Sequence, residues 1–196
     1  MHSHGHGNKR FNHQNWERLV NAERQQWQDV DKFFEIAQPT EEDVWLDFGC
    51  GPGYFTVPLA EKVKQVIAID VSAEMLAVCQ QRIKDHQLTN VLFLQSDEKR
   101  VPVADNTVDK ALLANIYHEL DHPKAFFAEL QRILKNTGTL FIIDWKPVES
   151  PTGPPMDHRI PETDVIREVE SLGFPLRNRW DIYPYHYVLE FAPSGK

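Results

Sequence analysis

The stretch that decides the fold is Val44-Trp45-Leu46-Asp47-Phe48-Gly49-Cys50-Gly51-Pro52-Gly53. A short apolar strand runs into a turn of alternating glycines, and residues 54–64 continue as a helix with Phe55, Leu59, Ala60 and Val63 on one side. Glycines here let the backbone reverse sharply and approach a ligand closely, with the N-terminus of the next helix behind it. Taken alone, such a turn is also what an ordinary strand-to-helix connection uses. Its surroundings carry the distinction.

Downstream, residues 66–69 form a second strand whose unbroken apolar run suits a sheet buried on both faces, and Asp70 closes it. Ser72 is placed to cap a helix over 73–85 that buries Met75, Leu76, Val78, Cys79 and Ile83. Residues 91–94, 108–113 and 139–143 read as three more strands, with a helix over 123–135 opened by Pro123. A loop rich in Pro and Gly over 148–160 leads to a helix over 162–172, stopped by Gly173. Two closing strands follow over 177–183 and 186–191. Strands alternating with helices of this length predict a doubly wound α/β fold, a seven-stranded sheet that is mostly parallel with an antiparallel C-terminal edge hairpin. Upstream, a rough apolar stripe from Leu19 to Ile36 predicts one helix over 16–37, a cap on a single domain over 16–196. Residues 1–15 form a polar, His-rich tail that composition predicts to be mobile.

The 196 residues suit one domain, and 41% apolar with 26% charged residues excludes the disordered and disulfide-scaffold classes. Lys and Arg number 21 against 29 Asp and Glu, a formal net charge of −8. No basic stripe runs through the chain, so a small-molecule partner is expected and nucleic acid is not. No window approaches the roughly eighteen apolar residues of a membrane span, and the N-terminus lacks the apolar core of a secretory signal. A cytoplasmic location is the expectation. Cys50 and Cys79 make neither a disulfide framework nor a zinc quartet. His2, His4, His6 and His13 read as part of a solvated segment, and no metal site is expected.

Ligands of such sheets bind outside the carboxyl ends of the strands. The first turn has the spacing G-x-G-x-G, not the G-x-G-x-x-G that seats a dinucleotide pyrophosphate. Asp47 also puts an anion where a diphosphate is unwelcome, so a cationic or zwitterionic ligand is favoured. Asp70, at the end of the second strand, can accept hydrogen bonds from both hydroxyls of a ribose. Asp97, past the third strand, can face the amino group of an adenine or stay a solvated loop acid.

Asp47 to Gly53, then Ala68-Ile69-Asp70-Val71-Ser72, then Ser96-Asp97 with Val101-Pro102 resemble motifs I, II and III of class I S-adenosylmethionine-dependent methyltransferases. Asp109 and Leu134-Lys135-Asn136-Thr137-Gly138-Thr139-Leu140 match the same pattern. The resemblance covers roughly residues 40–145 and is nearest to the small-molecule, quinone-biosynthesis-like branch. It implies a Rossmann-like sheet, S-adenosylmethionine as cofactor, and methyl transfer to a small-molecule acceptor by in-line displacement. It further implies that Gly49, Gly51 and Gly53, with Cys50 among them, floor the methionine and ribose part, and that Asp47 reads the methionine ammonium. Asp70 would bind the ribose hydroxyls and Val71 pack on the adenine, with Asp97 and the Glu98 backbone at its amino edge. Asn115 would lie beneath the methionine near the reacting carbon. Asp97-Glu98-Lys99-Arg100 departs from the family in being more charged than its usual small residue after the acid.

Facing an acceptor are Asn115, Tyr117 and His118 after the fourth strand, Trp145 and Lys146 after the fifth, and His158 and Arg159 in the long loop. His118 is a candidate base near neutral pH, or a structural residue. Lys146 could hold an anionic acceptor or pair with Asp144, and the loop itself resembles a rigid lid. Phe11 and Trp16 are candidates to cover the cofactor or simply to dock the first helix. The alternative to an enzyme is a regulatory or scaffold subunit that binds the cofactor without transferring methyl. A nicotinamide oxidoreductase is disfavoured by the glycine spacing and by Asp47.

Overall fold

The computed structural model describes residues 13–195, with side chains from Trp16 onward. Its strands are β1 (Val44–Phe48), β2 (Gln65–Asp70), β3 (Val91–Gln95), β4 (Val108–Ala114), β5 (Leu134–Trp145), β6 (Leu176–Trp180) and β7 (His186–Phe191). They form one seven-stranded sheet in the order β3-β2-β1-β4-β5-β7-β6. Every pair from β3 to β5 is parallel, whereas β7 is antiparallel to both β5 and β6. The sequence expectation of a mostly parallel sheet with an antiparallel closing hairpin holds.

The helices are α1 (Arg24–Trp27), α2 (Val30–Ala37), α3 (Thr56–Ala60), α4 (Ala73–Asp85), α5 (Pro123–Ile133) and α6 (Glu162–Ser171). Alternate residues of β1 and β2 enter opposite apolar layers, as strands buried on both faces require. Leu46, Phe48, Ile67 and Ile69 meet Phe126, Phe127 and Leu130 of α5 and Val165 and Val169 of α6. Trp45, Val66 and Ala68 meet Phe33 and Phe34 of α2, Leu59 of α3, and Cys79 and Ile83 of α4. Ser72 caps α4 as expected, accepting from the Met75 N–H at 3.2 Å, and Pro123 occupies the first turn of α5.

The single helix expected over 16–37 is not formed. The chain makes a 3-10 turn over His13–Leu19, then α1, then α2. Two side chains break it by offering the backbone local partners. Asn21 accepts from the Arg24 N–H at 3.1 Å, and Asp29 caps α2 by accepting from the Asp31 N–H at 2.9 Å. The helix expected over 54–64 shortens to α3. There the Asn90 side chain donates to the carbonyls of Ala60 and Val63, both at 2.9 Å, and closes the end early. The His-rich tail expected over 1–15 lies outside the described residues, apart from the backbone of 13–15, which belongs to the 3-10 turn. Among the described residues no helix is long and apolar enough to cross a membrane.

From β1 the chain crosses over to β2 on one side, and β4 lies on the other. This reversal marks the carboxyl ends of β1 and β4 as the candidate cleft, since open α/β sheets bind ligands there.

Candidate functional site

The turn after β1 is pinned to β2 by Gly49 and Cys50, whose N–H groups both donate to the Ile69 carbonyl, at 2.8 and 2.9 Å. Gly49, Gly51 and Gly53 all take left-handed backbone, with φ of 72°, 52° and 84°. A Cβ on Gly49 would lie 2.4 Å from the Ile116 side chain, and one on Gly53 would lie 2.6 Å from Cys79 Sγ. A Cβ on Gly51 would meet only Leu19 among the described residues, at 3.9 Å, so this glycine is not crowded by its neighbours. Its N–H donates to Asp70 Oδ2 at 2.8 Å, while Ser72 N–H donates to Asp70 Oδ1 at 2.9 Å. The glycine turn itself therefore aims the Asp70 carboxylate. Val71, the next residue, is an apolar side chain left 42% exposed.

Asp47 is buried and accepts from Thr56 Oγ1 at 2.6 Å. Burial, helped by the negative charge of Asp70, pushes its carboxyl up to about 6 against the Thr56 hydrogen bond and the Arg24 charge. Arg24 is a buried cation. Its guanidinium donates to Gln28 Oε1 at 2.8 Å and to the Leu19 carbonyl at 2.6 Å, and sits 3.9 Å from the centre of the Tyr54 ring. Burial pulls it down to about 10, with the charges of Tyr54 and Asp47 opposing. Gln28 in turn accepts from Asn115 Nδ2 at 3.2 Å. Asn115 holds φ at 62°, an uncommon backbone for a non-glycine residue, and its N–H donates to the Ile143 carbonyl at 2.7 Å. Residues 19–28 thus form a strap over the cleft. Tyr54 Oη fastens it to the Gln28 carbonyl at 2.7 Å and Tyr183 Oη to the Asp29 carbonyl at 2.5 Å.

The other expected residues fall into different roles. Asp97 is exposed and accepts from the Lys99 N–H at 2.9 Å, as a loop acid does. Glu98 is buried and accepts from the Asp121 N–H at 3.1 Å, tying the loop after β3 to the one after β4. His118 is buried against Asp144, with Nδ1 2.8 Å from Oδ1 and its N–H donating to Oδ2 at 3.1 Å. Burial disfavours the imidazolium, but the Asp144 and Glu119 charges outweigh it and His118 stands above its ordinary value. Lys146 does not pair with Asp144. It donates to Asp181 at 2.6 Å and to the Tyr183 carbonyl at 2.7 Å, bracing β5 against the connection from β6 to β7. Arg159 does not face the cleft as a free cation either. It donates to the carbonyls of Pro154, Lys146, Val148 and Thr152 and to Ser150 Oγ, and so knits its own loop. His158 ends the short 3-10 turn Met156–His158 of that loop. Phe11 lies outside the described residues, and Trp16 is half-buried in the first turn.

Sequence reasoning missed Arg24 and Gln28 as residues of this site. A signal existed for the strap. Asn21 and Asp29 are both helix-capping types inside what otherwise reads as one helix, and the polar pair Arg24 and Gln28 stands one turn apart between them.

The methyltransferase domain model matches residues 46–142. A crystal structure of an S-adenosylmethionine-dependent methyltransferase from Aquifex aeolicus is 31% identical, with a TM-score of 0.88, covering 93% of this chain and 98% of that one. The uncharacterized protein YafE of Escherichia coli K12 is 30% identical over 132 residues, 67% of this chain and 62% of its own. A demethylmenaquinone methyltransferase of Geobacillus is 29% identical over 102 residues, 50% of this chain and 44% of its own. The chain belongs to the class I S-adenosylmethionine-dependent methyltransferases, whose cofactor is S-adenosylmethionine. It spans about half the length of the curated relatives it matches.

Proposed function

We propose that this chain transfers a methyl group from S-adenosylmethionine to a small-molecule acceptor held in the cleft beneath the strap. The observation that carries this is the Asp70 carboxylate, fixed by Gly51 at 2.8 Å and Ser72 at 2.9 Å beside a glycine that leaves room for a ligand. The residues fit the cofactor. Asp70 suits a ribose diol and the exposed Val71 an adenine face. The buried Asp47 and Arg24 suit the ammonium and carboxylate ends of a methionine-like group.

When bound, the cofactor supplies a methyl group activated by a sulfonium. The chain's part is to orient and exclude water. The glycine turn and Asp70 fix one end, and Asp47 and Arg24 hold the zwitterionic end. Asn115, in its left-handed conformation, presents its side chain to the cleft from the end of β4. Alignment of this kind supplies most of the acceleration that an in-line displacement needs. His118, engaged by Asp144 through both ring and backbone, acts as a brace between β4 and β5 rather than as a base. Calorimetric titration with S-adenosylmethionine, S-adenosylhomocysteine and reduced nicotinamide dinucleotide tests the proposal. Micromolar binding of the two adenosyl ligands and none of the third is expected, and no adenosyl binding would refute it.

A further inference from the structure

We propose that Gln28 is a positioning residue for the ligand of this cleft: its buried side-chain amide grips that of Asn115 and fixes which edge Asn115 turns to the cofactor. This deepens the cofactor-binding reading of the cleft and rests on it.

Gln28 is fully buried and stands 87 residues from Asn115 in the chain. The two carboxamides pair in both directions. Asn115 Nδ2 donates to Gln28 Oε1 at 3.2 Å, and Gln28 Nε2 donates to Asn115 Oδ1 at 3.4 Å. Such a pair has no polarity of its own, because turning both amides over restores both hydrogen bonds. Arg24 removes the choice. A guanidinium only donates, and its Nε donates to Gln28 Oε1 at 2.8 Å. Gln28 must therefore aim its oxygen at Arg24, and Asn115 must aim Nδ2 at the same oxygen. Arg24 is held independently by the Leu19 carbonyl at 2.6 Å and the Tyr54 ring at 3.9 Å, so the polarity is imposed from the strap.

Asn115 stands where that polarity matters. It directly follows β4, it is only half-buried, and the side chain of the next residue, Ile116, lies against Gly49 of the glycine turn. Its φ of 62° is an uncommon conformation that persists only where its surroundings hold it, and the pairing with Gln28 is one such hold. A carboxamide offers two donors and two acceptor lone pairs, and Gln28 takes one of each. One donor and one lone pair remain for a ligand. The described hydrogen bonds of Arg24 use Nε and Nη1, which leaves Nη2 for the methionine carboxylate. A single relay thus joins the two ends of the site, and Gln28, with no exposed surface, acts through Asn115.

The test is a double-mutant cycle on S-adenosylhomocysteine affinity, read by calorimetry on the full chain. Asn115→Gly removes the side chain and suits the left-handed backbone. It should weaken binding about tenfold, the worth of one hydrogen bond. Gln28→Leu should weaken binding about tenfold in wild type and leave it within about twofold in Asn115→Gly, because its effect passes through the missing side chain. Gln28→Glu keeps an oxygen for both Arg24 Nε and Asn115 Nδ2, and should recover most of the affinity that Gln28→Leu loses. A tenfold loss from Gln28→Leu in both backgrounds would mean that Gln28 merely holds the strap, and would overturn the proposal. So would wild-type affinity in Asn115→Gly or Gln28→Leu, or a loss in Gln28→Glu as large as in Gln28→Leu. Should Gln28→Leu fail to fold, side-chain amide NMR spectra of wild type decide, with Gln28→Glu and Asn115→Gly assigning the two signals. S-adenosylhomocysteine should shift both together, and an unmoved Asn115 signal would overturn the proposal. Failure of S-adenosylhomocysteine to bind wild type would instead overturn the cofactor reading beneath it.

Discussion

Asp47 pays for its place under the glycine turn. It is buried with one hydrogen bond from Thr56, and its carboxyl is pushed up to about 6 from an ordinary value of 3.8. Between those two values the folded protein holds a proton that the unfolded chain releases, so stability falls as pH rises through this window and is level above it. Removing the charge should therefore stabilise the protein without cofactor. Asp47→Asn is expected to gain about 2–3 kcal/mol at pH 7.5 and little at pH 4, as read from urea midpoints. The same substitution should weaken S-adenosylmethionine binding, and wild-type affinity should drop below pH 6 as Asp47 protonates. His118 shifts stability with pH in the same direction, in a higher window, but as a gain held below the window rather than a cost carried above it. Its folded value stands above the ordinary 6.5, so the stability it gains from Asp144 is full below that pH and fades as pH rises through the folded value. His118→Ala should cost on the order of 3 kcal/mol at pH 5.5, the cost of breaking a buried pair, and the gap to wild type should narrow at pH 9.

The glycine turn and the strap are the two elements that make the cleft, and they differ in how plainly the sequence announces them. The turn was legible because an apolar strand, three alternating glycines and an acid at the end of the next strand each report a backbone constraint. The structure ties two of those glycines to specific neighbours, Ile116 and Cys79. Gly53→Ala combines a φ of 84° with a Cβ 2.6 Å from Cys79 Sγ. It should destabilise the fold by about 1–3 kcal/mol in urea denaturation, whereas a neutral effect would mean that the turn relaxes easily. The strap was illegible for a different reason. Arg24 and Gln28 are residue types that normally face water, and only tertiary contact with Tyr54, Leu19 and Asn115 buries them. In the sequence Lys146 reads as facing an anionic acceptor or pairing with Asp144, and Arg159 as facing an acceptor; both prove to be braces, since nothing local signals Asp181 or the carbonyls of the loop.

Across the whole molecule, strand order does the organising. Reversal at β1 gathers the ends of β1, β2 and β4, so residues far apart in the chain meet at one rim of the sheet. The antiparallel β7 brings His186 to the same rim, and the strap closes over it from the N-terminal side. The proposed cofactor site centres on Asp70, the carboxylate aimed by the glycine turn. The most direct measurement is a calorimetric titration of S-adenosylhomocysteine into wild type and Asp70→Ala, with thermal melts confirming that both are folded. Micromolar binding by wild type and a loss of about 10–100-fold in the variant is the expected result, because two charge-assisted ribose hydrogen bonds disappear. Equal affinity in the two proteins would place the cofactor elsewhere and contradict the cleft described here.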